Sequence, residues 1–248
     1  MDADGGSLRT ENRLAIDLAA DELVASVEGP SPPGRPHRIR VRARLRGTLR
    51  YTTREKGQAM STYKVGYFVG SLSSTSINRE LAKALIRLAP KELEFAEIPI
   101  GNLPLYSQDY DPDFPPEARA FKAAIAASDA ILFVTPEYNR SIPGALKNAI
   151  DWASRPSGQN SFDQMAAAVI GASRGQIGTA MAQQSLRGVL SFCNARQMTA
   201  PEAYIRYSED IFPGDGEVAN ESTKAFLTNF MEQFLIYIVR VLTVIPRT

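Results

Sequence analysis

The stretch Ala130-Ile131-Leu132-Phe133-Val134-Thr135-Pro136-Glu137-Tyr138-Asn139-Arg140-Ser141-Ile142-Pro143-Gly144-Ala145-Leu146-Lys147-Asn148-Ala149-Ile150-Asp151-Trp152 decides the fold. Its first five residues are apolar without alternation, as expected of a strand covered on both faces. Two prolines, a glycine and a Tyr-Asn pair then fix a stiff loop. Pro143 to Ala153 reads as a helix. A buried strand, a rigid loop and a helix in succession make the repeating unit of a parallel sheet.

The same unit recurs on either side. Lys64 to Val69 is an apolar β-type run, and Ile77, Leu81, Leu85 and Leu88 mark one face of a helix over Asn78 to Ala89. Leu93 to Ile98 reads as a short strand. Pro115 to Ser128 reads as a helix, with Pro116 near its first position and Phe121, Ala124 and Ile125 at helical spacing. Ala166 to Ile170 is another buried strand, followed by a helix over Ile177 to Asn194. Met198 to Ala203 reads as the last strand and Val218 to Val244 as a terminal helix. The expectation is an α/β fold, with a five-stranded, doubly wound parallel sheet flanked by helices. Such sheets bind ligands outside the carboxyl ends of their strands, where the strand order reverses.

Composition narrows the chemistry. The chain has 248 residues, one histidine (His37), one cysteine (Cys193) and a formal net charge of +1. That charge gives no general case for nucleic acid or an anionic membrane. A lone cysteine excludes a disulfide framework and suits a reducing, cytoplasmic setting. A lone histidine argues against a Ser-His-Asp hydrolase and most catalytic zinc sites. No metal site is expected: Asp109, Asp111 and Asp113 lack the rest of a calcium loop and read as a solvated turn. The most apolar run, Phe234 to Val239, is too short to span a bilayer, and the N-terminus lacks the basic and apolar regions of a signal peptide.

The first 59 residues differ from the rest. They carry 11 basic and eight acidic side chains, and Gly29 to Pro36 is a breaker cluster. They read as an extension that is a basic arm, a disordered segment, or a stretch upstream of the true start. Glu55-Lys56-Gly57 requires purine-rich codons, as a ribosome-binding site would. Met60 is therefore expected to begin the native product, with residues 60–248 as the working domain.

Three strand ends carry candidate chemistry. After the first strand, Gly70 is followed by Ser71, Ser73, Ser74, Thr75 and Ser76, then by Ile77 and Asn78 at a helix start. Hydroxyls and free N–H groups at a helix N-terminus suit a phosphate, and also an ordinary Ser/Thr cap. Neither a Rossmann glycine fingerprint nor a P-loop is present. After the third strand, a stiff backbone presenting N–H and C=O groups suits the polar edge of a flat heterocycle. After the fourth, Gly171-Ala172-Ser173-Arg174-Gly175 mimics a hydrolase nucleophile elbow, yet no histidine follows it. Trp152 and Cys193 read as core residues.

The hydroxyl loop together with Pro136 to Gly144 and Leu146 to Trp152 resembles the NADPH-dependent FMN reductase family, over about residues 62–243. That family has the flavodoxin-like fold and includes bacterial quinone and chromate reductases. The resemblance implies that Ser71, Ser73, Ser76 and Asn78 contact the FMN phosphate, with Ile77 at the helix start behind them. It places Pro136, Glu137, Tyr138, Asn139 and Arg140 beside the isoalloxazine ring, and Ser173 and Gly175 near the nicotinamide approach. Ser73 stands where the family often has an arginine, which removes one phosphate partner. The implied activity is ping-pong: NAD(P)H delivers hydride to the flavin N5, and a quinone, chromate, ferric or azo acceptor then takes its place. The flavin carries the chemistry, so no catalytic side chain is expected. A homodimer or homotetramer is implied by analogy. The alternatives are an electron-carrier flavodoxin without NADPH turnover, against which the near-neutral charge and the Pro-Glu-Tyr-Asn loop argue, and a flavin-sensing regulator using the basic arm.

Overall fold

The computed structural model describes residues 61–246, so the expectations for the arm and for Met60 lie outside the described residues. Its elements are β1 (Tyr63–Val69), α1 (Ile77–Leu88), β2 (Leu93–Glu97), α2 (Pro116–Ala126), β3 (Ala130–Val134), α3 (Gly144–Ala153), β4 (Ala166–Ser173), α4 (Ala180–Phe192), β5 (Arg196–Gln197), β6 (Tyr204–Arg206) and α5 (Glu221–Val244). The strand order is β2-β1-β3-β4-β5, with β6 also on β4, and every pairing is parallel. The order reverses between β1 and β3, as in flavodoxin-like sheets.

The quoted strand behaves as its composition demands. All five residues of β3 are buried. Ala130, Leu132 and Val134 join the core beneath α1 and α5, while Ile131 and Phe133 join the core beneath α2, α3 and α4. Period-two alternation thus feeds two different cores, which removes any need for polar positions.

Two expectations change. The last strand is split: β5 and β6 take the place beside β4 in turn, and residues 198–203 lie between them rather than forming one strand. Met198 still donates its N–H to Ala167 O at 2.8 Å, but Pro201 has no N–H to continue a ladder. Helix α4 begins at Ala180, three residues later than expected, because the chain first turns through Gly178 at φ +59°.

Helix α5 is long and apolar enough, by length and composition alone, to cross a membrane. Counting only the unbroken run Phe234 to Val239 understates it. Its Leu227, Phe230, Met231, Phe234 and Ile238 are buried in the core shared with α1 and the sheet.

Helix α3, which follows the quoted loop, is anchored at several points. Trp152 donates its indole N–H to Pro104 O at 2.7 Å. Asn148 accepts from Tyr106 N and donates to Pro104 O, each at 2.9 Å. Lys122 donates its ammonium to the carbonyls of Ala153, the last residue of the helix, and of Arg155 and Gln159 beyond it. Burial lowers the Lys122 ammonium to about 8.

Candidate functional site

The carboxyl ends of β1, β3 and β4 are neighbours, and each is followed by one of the three loops that stand out in the sequence. Their close approach depends on glycine. A Cβ on Gly171 would overlap the carbonyl of Thr135 and the hydroxyl of Thr179. A Cβ on Gly70 would press on Pro136, Thr135 and Leu146 at 3.1 to 3.2 Å.

The loop after β1 organises itself. Ser71 Oγ accepts from Ser73 N at 3.3 Å, and Ser73 Oγ accepts from Thr75 N at 3.2 Å. Ser76 is the N-cap of α1 and accepts from Arg79 N at 3.4 Å. The hydroxyls therefore shape the turn. The N–H groups of Leu72, Ser74, Ile77 and Asn78 meet no acceptor among the described residues. Ile77 and Asn78 stand in the first turn of α1, at the helix's positive end. No lysine or arginine lies between residues 65 and 78, and Arg79 is already bidentate to Glu97 at 2.7 and 2.9 Å. The donors this loop offers an anion are therefore backbone N–H groups.

The Asn78 side chain, which the resemblance implied as a phosphate contact, is engaged within the fold. It is fully buried, donates to Ala172 O and accepts from Ala172 N, both at 2.9 Å. Both halves of its amide are thus matched to one residue of β4, tying the first turn of α1 to that strand.

The loop after β3 is a tight hairpin. Tyr138 and Ser141 exchange backbone hydrogen bonds at 3.0 and 2.9 Å. Asn139 and Arg140 both hold positive φ, +51° and +64°. Asparagine tolerates that region and arginine does so at a cost. Thr135, fully buried, donates its hydroxyl to Pro136 O at 2.9 Å. Tyr138 is left half exposed.

The Glu137 side chain does not lie open beside the hairpin. Its Oε2 accepts from Met181 N and Ala182 N of α4 at 3.0 and 3.1 Å, and its Oε1 accepts from Arg140 Nη1 at 3.2 Å. A second tie joins Ser141 Oγ to Ser185 Oγ at 3.0 Å.

The loop after β4 turns on Ser173, whose hydroxyl donates to Gly178 O at 2.6 Å and accepts from Gly175 N at 3.2 Å. Arg174 is bidentate to Glu209 at 2.7 and 3.1 Å and lies over the Tyr207 ring. This pairing holds the Glu209 carboxyl below the usual range and raises Arg174. Leu72, Tyr138, Ile177 and Met181 remain exposed on these three loops and the start of α4. No cluster able to hold a metal ion occurs among the described residues.

The sequence reading therefore located the three loops but not all of their supports. Thr135, Gly171, Thr179 and Gln183 were missed. Gln183, fully buried on α4, donates to Thr179 Oγ1 and Ala203 O at 3.0 and 2.7 Å. The Gln183 bond to Ala203 and the Gly171 approach to Thr135 join residues distant in sequence and leave no local pattern.

An array of backbone donors at a helix start, beside a rigid hairpin and exposed apolar side chains, fits a phosphorylated, flat aromatic cofactor such as FMN. Strand order and loops together define a flavodoxin-like α/β protein. The sequence profile for NADPH-dependent FMN reductases matches residues 63–210, and the chain belongs to that family. It is 50% identical over 175 residues to a 2-hydroxy-1,4-benzoquinone reductase from Burkholderia sp., covering 71% of this chain and 96% of the relative. A quinone reductase from Pseudomonas putida is 45% identical over 173 residues, covering 69% and 92%. Among solved structures, a flavoenzyme NAD(P)H:(acceptor) oxidoreductase from Paracoccus denitrificans superposes with a TM-score of 0.70 at 45% identity, covering 72% of this chain and 98% of that one.

Proposed function

We propose that this protein is an FMN-dependent NAD(P)H oxidoreductase that reduces quinones. The observation that carries the reading is the pairing of a donor-rich helix start after β1 with a stiff, stapled hairpin after β3. Relatives named as quinone reductases at 45–50% identity support it. FMN held there would supply two-electron redox chemistry between NAD(P)H and the acceptor. The chain's own part is placement. The N–H groups of Leu72, Ser74, Ile77 and Asn78 hold a phosphate, with Ser71, Ser73 and Ser76 setting the turn that presents them. Pro136 to Arg140 present backbone edges to a ring, and preorganised N–H groups stabilise negative charge that develops there. Ser173 and Gly175 shape the third wall. Exposed Tyr138, Ile177 and Met181 give a flat apolar acceptor a surface to lie on.

The acceptor range extends to chromate, ferric or azo compounds in this reading, the assembly is a homodimer or homotetramer, and the setting is cytoplasmic. Residues 60–248 carry the activity. Mixing the FMN-loaded protein with NADPH under argon tests the core of the proposal. Rapid loss of the flavin's yellow colour and its return on adding a quinone are expected. A flavin that stays oxidised would sink the reductase reading in favour of an electron carrier.

A further inference from the structure

We propose that Glu137 is a positioning residue that sets the spacing between the hairpin after β3 and the start of α4. The inference rests on the FMN reading above, in which these elements flank the ring. It assigns Glu137 a task other than direct contact with the cofactor.

The geometry is specific. Helix α4 has Thr179 at its N-cap, and Thr179 makes no side-chain capping bond. The orphan N–H groups of Met181 and Ala182 are met instead by a carboxylate that arrives from 44 and 45 residues earlier in the chain. One oxygen accepts both, and the other accepts from Arg140. The Glu137 side chain is only 9% exposed. A carboxylate at the positive end of a helix gains from the dipole as well as from the hydrogen bonds.

Because Glu137 immediately precedes Tyr138, the cap fixes one root of the hairpin. The Ser141–Ser185 contact fixes the other, one turn further along α4. Two ties at both roots of a two-residue turn leave it no hinge against α4. Arg140, held at positive φ, is drawn back onto Glu137 by the same carboxylate. The strained turn is thus held by the group that caps the helix.

The test uses the full chain with and without FMN. In Glu137→Ala, amide exchange at Met181 and Ala182 is expected to speed up by about tenfold or more in the FMN-free protein, and FMN affinity to fall by about tenfold. The visible band of bound flavin should shift in position or shape. Glu137→Gln keeps an acceptor oxygen at the same reach and should restore most of the affinity. Glu137→Asp keeps the charge but falls short by one methylene and should behave like the alanine variant. If Glu137→Ala fails to fold, the Gln and Asp variants carry the comparison. Faster amide exchange with unchanged FMN affinity and flavin spectrum would overturn the proposal, since the cap would then be purely local. Full retention of affinity in Glu137→Asp with loss in Glu137→Gln would also overturn it, by making charge rather than reach decisive. If the parent protein binds no FMN, the functional reading fails, while amide exchange still reports on the cap.

Discussion

The loops after β1 and β3 solve opposite problems beside one another. The first keeps backbone donors free: its hydroxyls bond within the loop, and the N–H groups of Leu72, Ser74, Ile77 and Asn78 meet no acceptor among the described residues. The second ties down its frame. Its ends exchange hydrogen bonds, its acid caps a helix, and two of its residues are held at positive φ. A binding loop for a phosphate needs unsatisfied donors, so it must be built from turns that do not use them. A wall against which a ring rests needs rigidity, so its ends and its acid are tied.

Four substitutions break or sharpen that contrast. The largest effect is expected at Asn78, which holds the first loop's helix to β4. Asn78→Ala orphans a buried N–H and C=O on Ala172 and should cost about 3 kcal/mol, read from denaturant unfolding. Next is Gly171, where the strand ends meet. Gly171→Ala pushes a methyl into the Thr135 carbonyl, and about 2 kcal/mol of destabilisation should appear in the same assay. Ser76→Ala removes the α1 cap while sparing the free N–H groups. It should cost about 1 kcal/mol, with FMN affinity dropping only a few-fold in a fluorescence titration. A loss as deep as that from disrupting the whole loop would show that the hydroxyl itself binds the phosphate. The smallest effect runs the other way. Arg140→Gly relieves the positive-φ strain and should raise stability by about 0.5 kcal/mol, net of an exposed ion pair. A loss of stability there would mean that the hairpin depends on the Arg140–Glu137 pair.

Much of this architecture was legible because it is local. The apolar run of β3, the prolines around the hairpin and the helical spacing of α1 all announce themselves within a dozen residues. Gly70 and the hydroxyl cluster marked the first loop for the same reason. What could not be read was pairing across distance. Asn78 meets a backbone 94 residues away, and Glu137 meets one 44 residues away. A side chain named by a motif therefore need not touch the ligand that the motif serves. The split of the last strand was equally hidden, because pieces of two and three residues are too short to carry a period.

That split has a consequence for solubility. A long, flat strand at the rim of a sheet offers its unpaired backbone to any other chain that can lie beside it. Here the rim beyond β4 is never continuous for more than three residues, and the intervening segment carries Pro201. At the opposite rim, β2 is five residues long and carries Glu94, while its Glu97 is paired with Arg79. Among the described residues, one rim of the sheet is broken up and the other is short, and both are poor templates for an added strand.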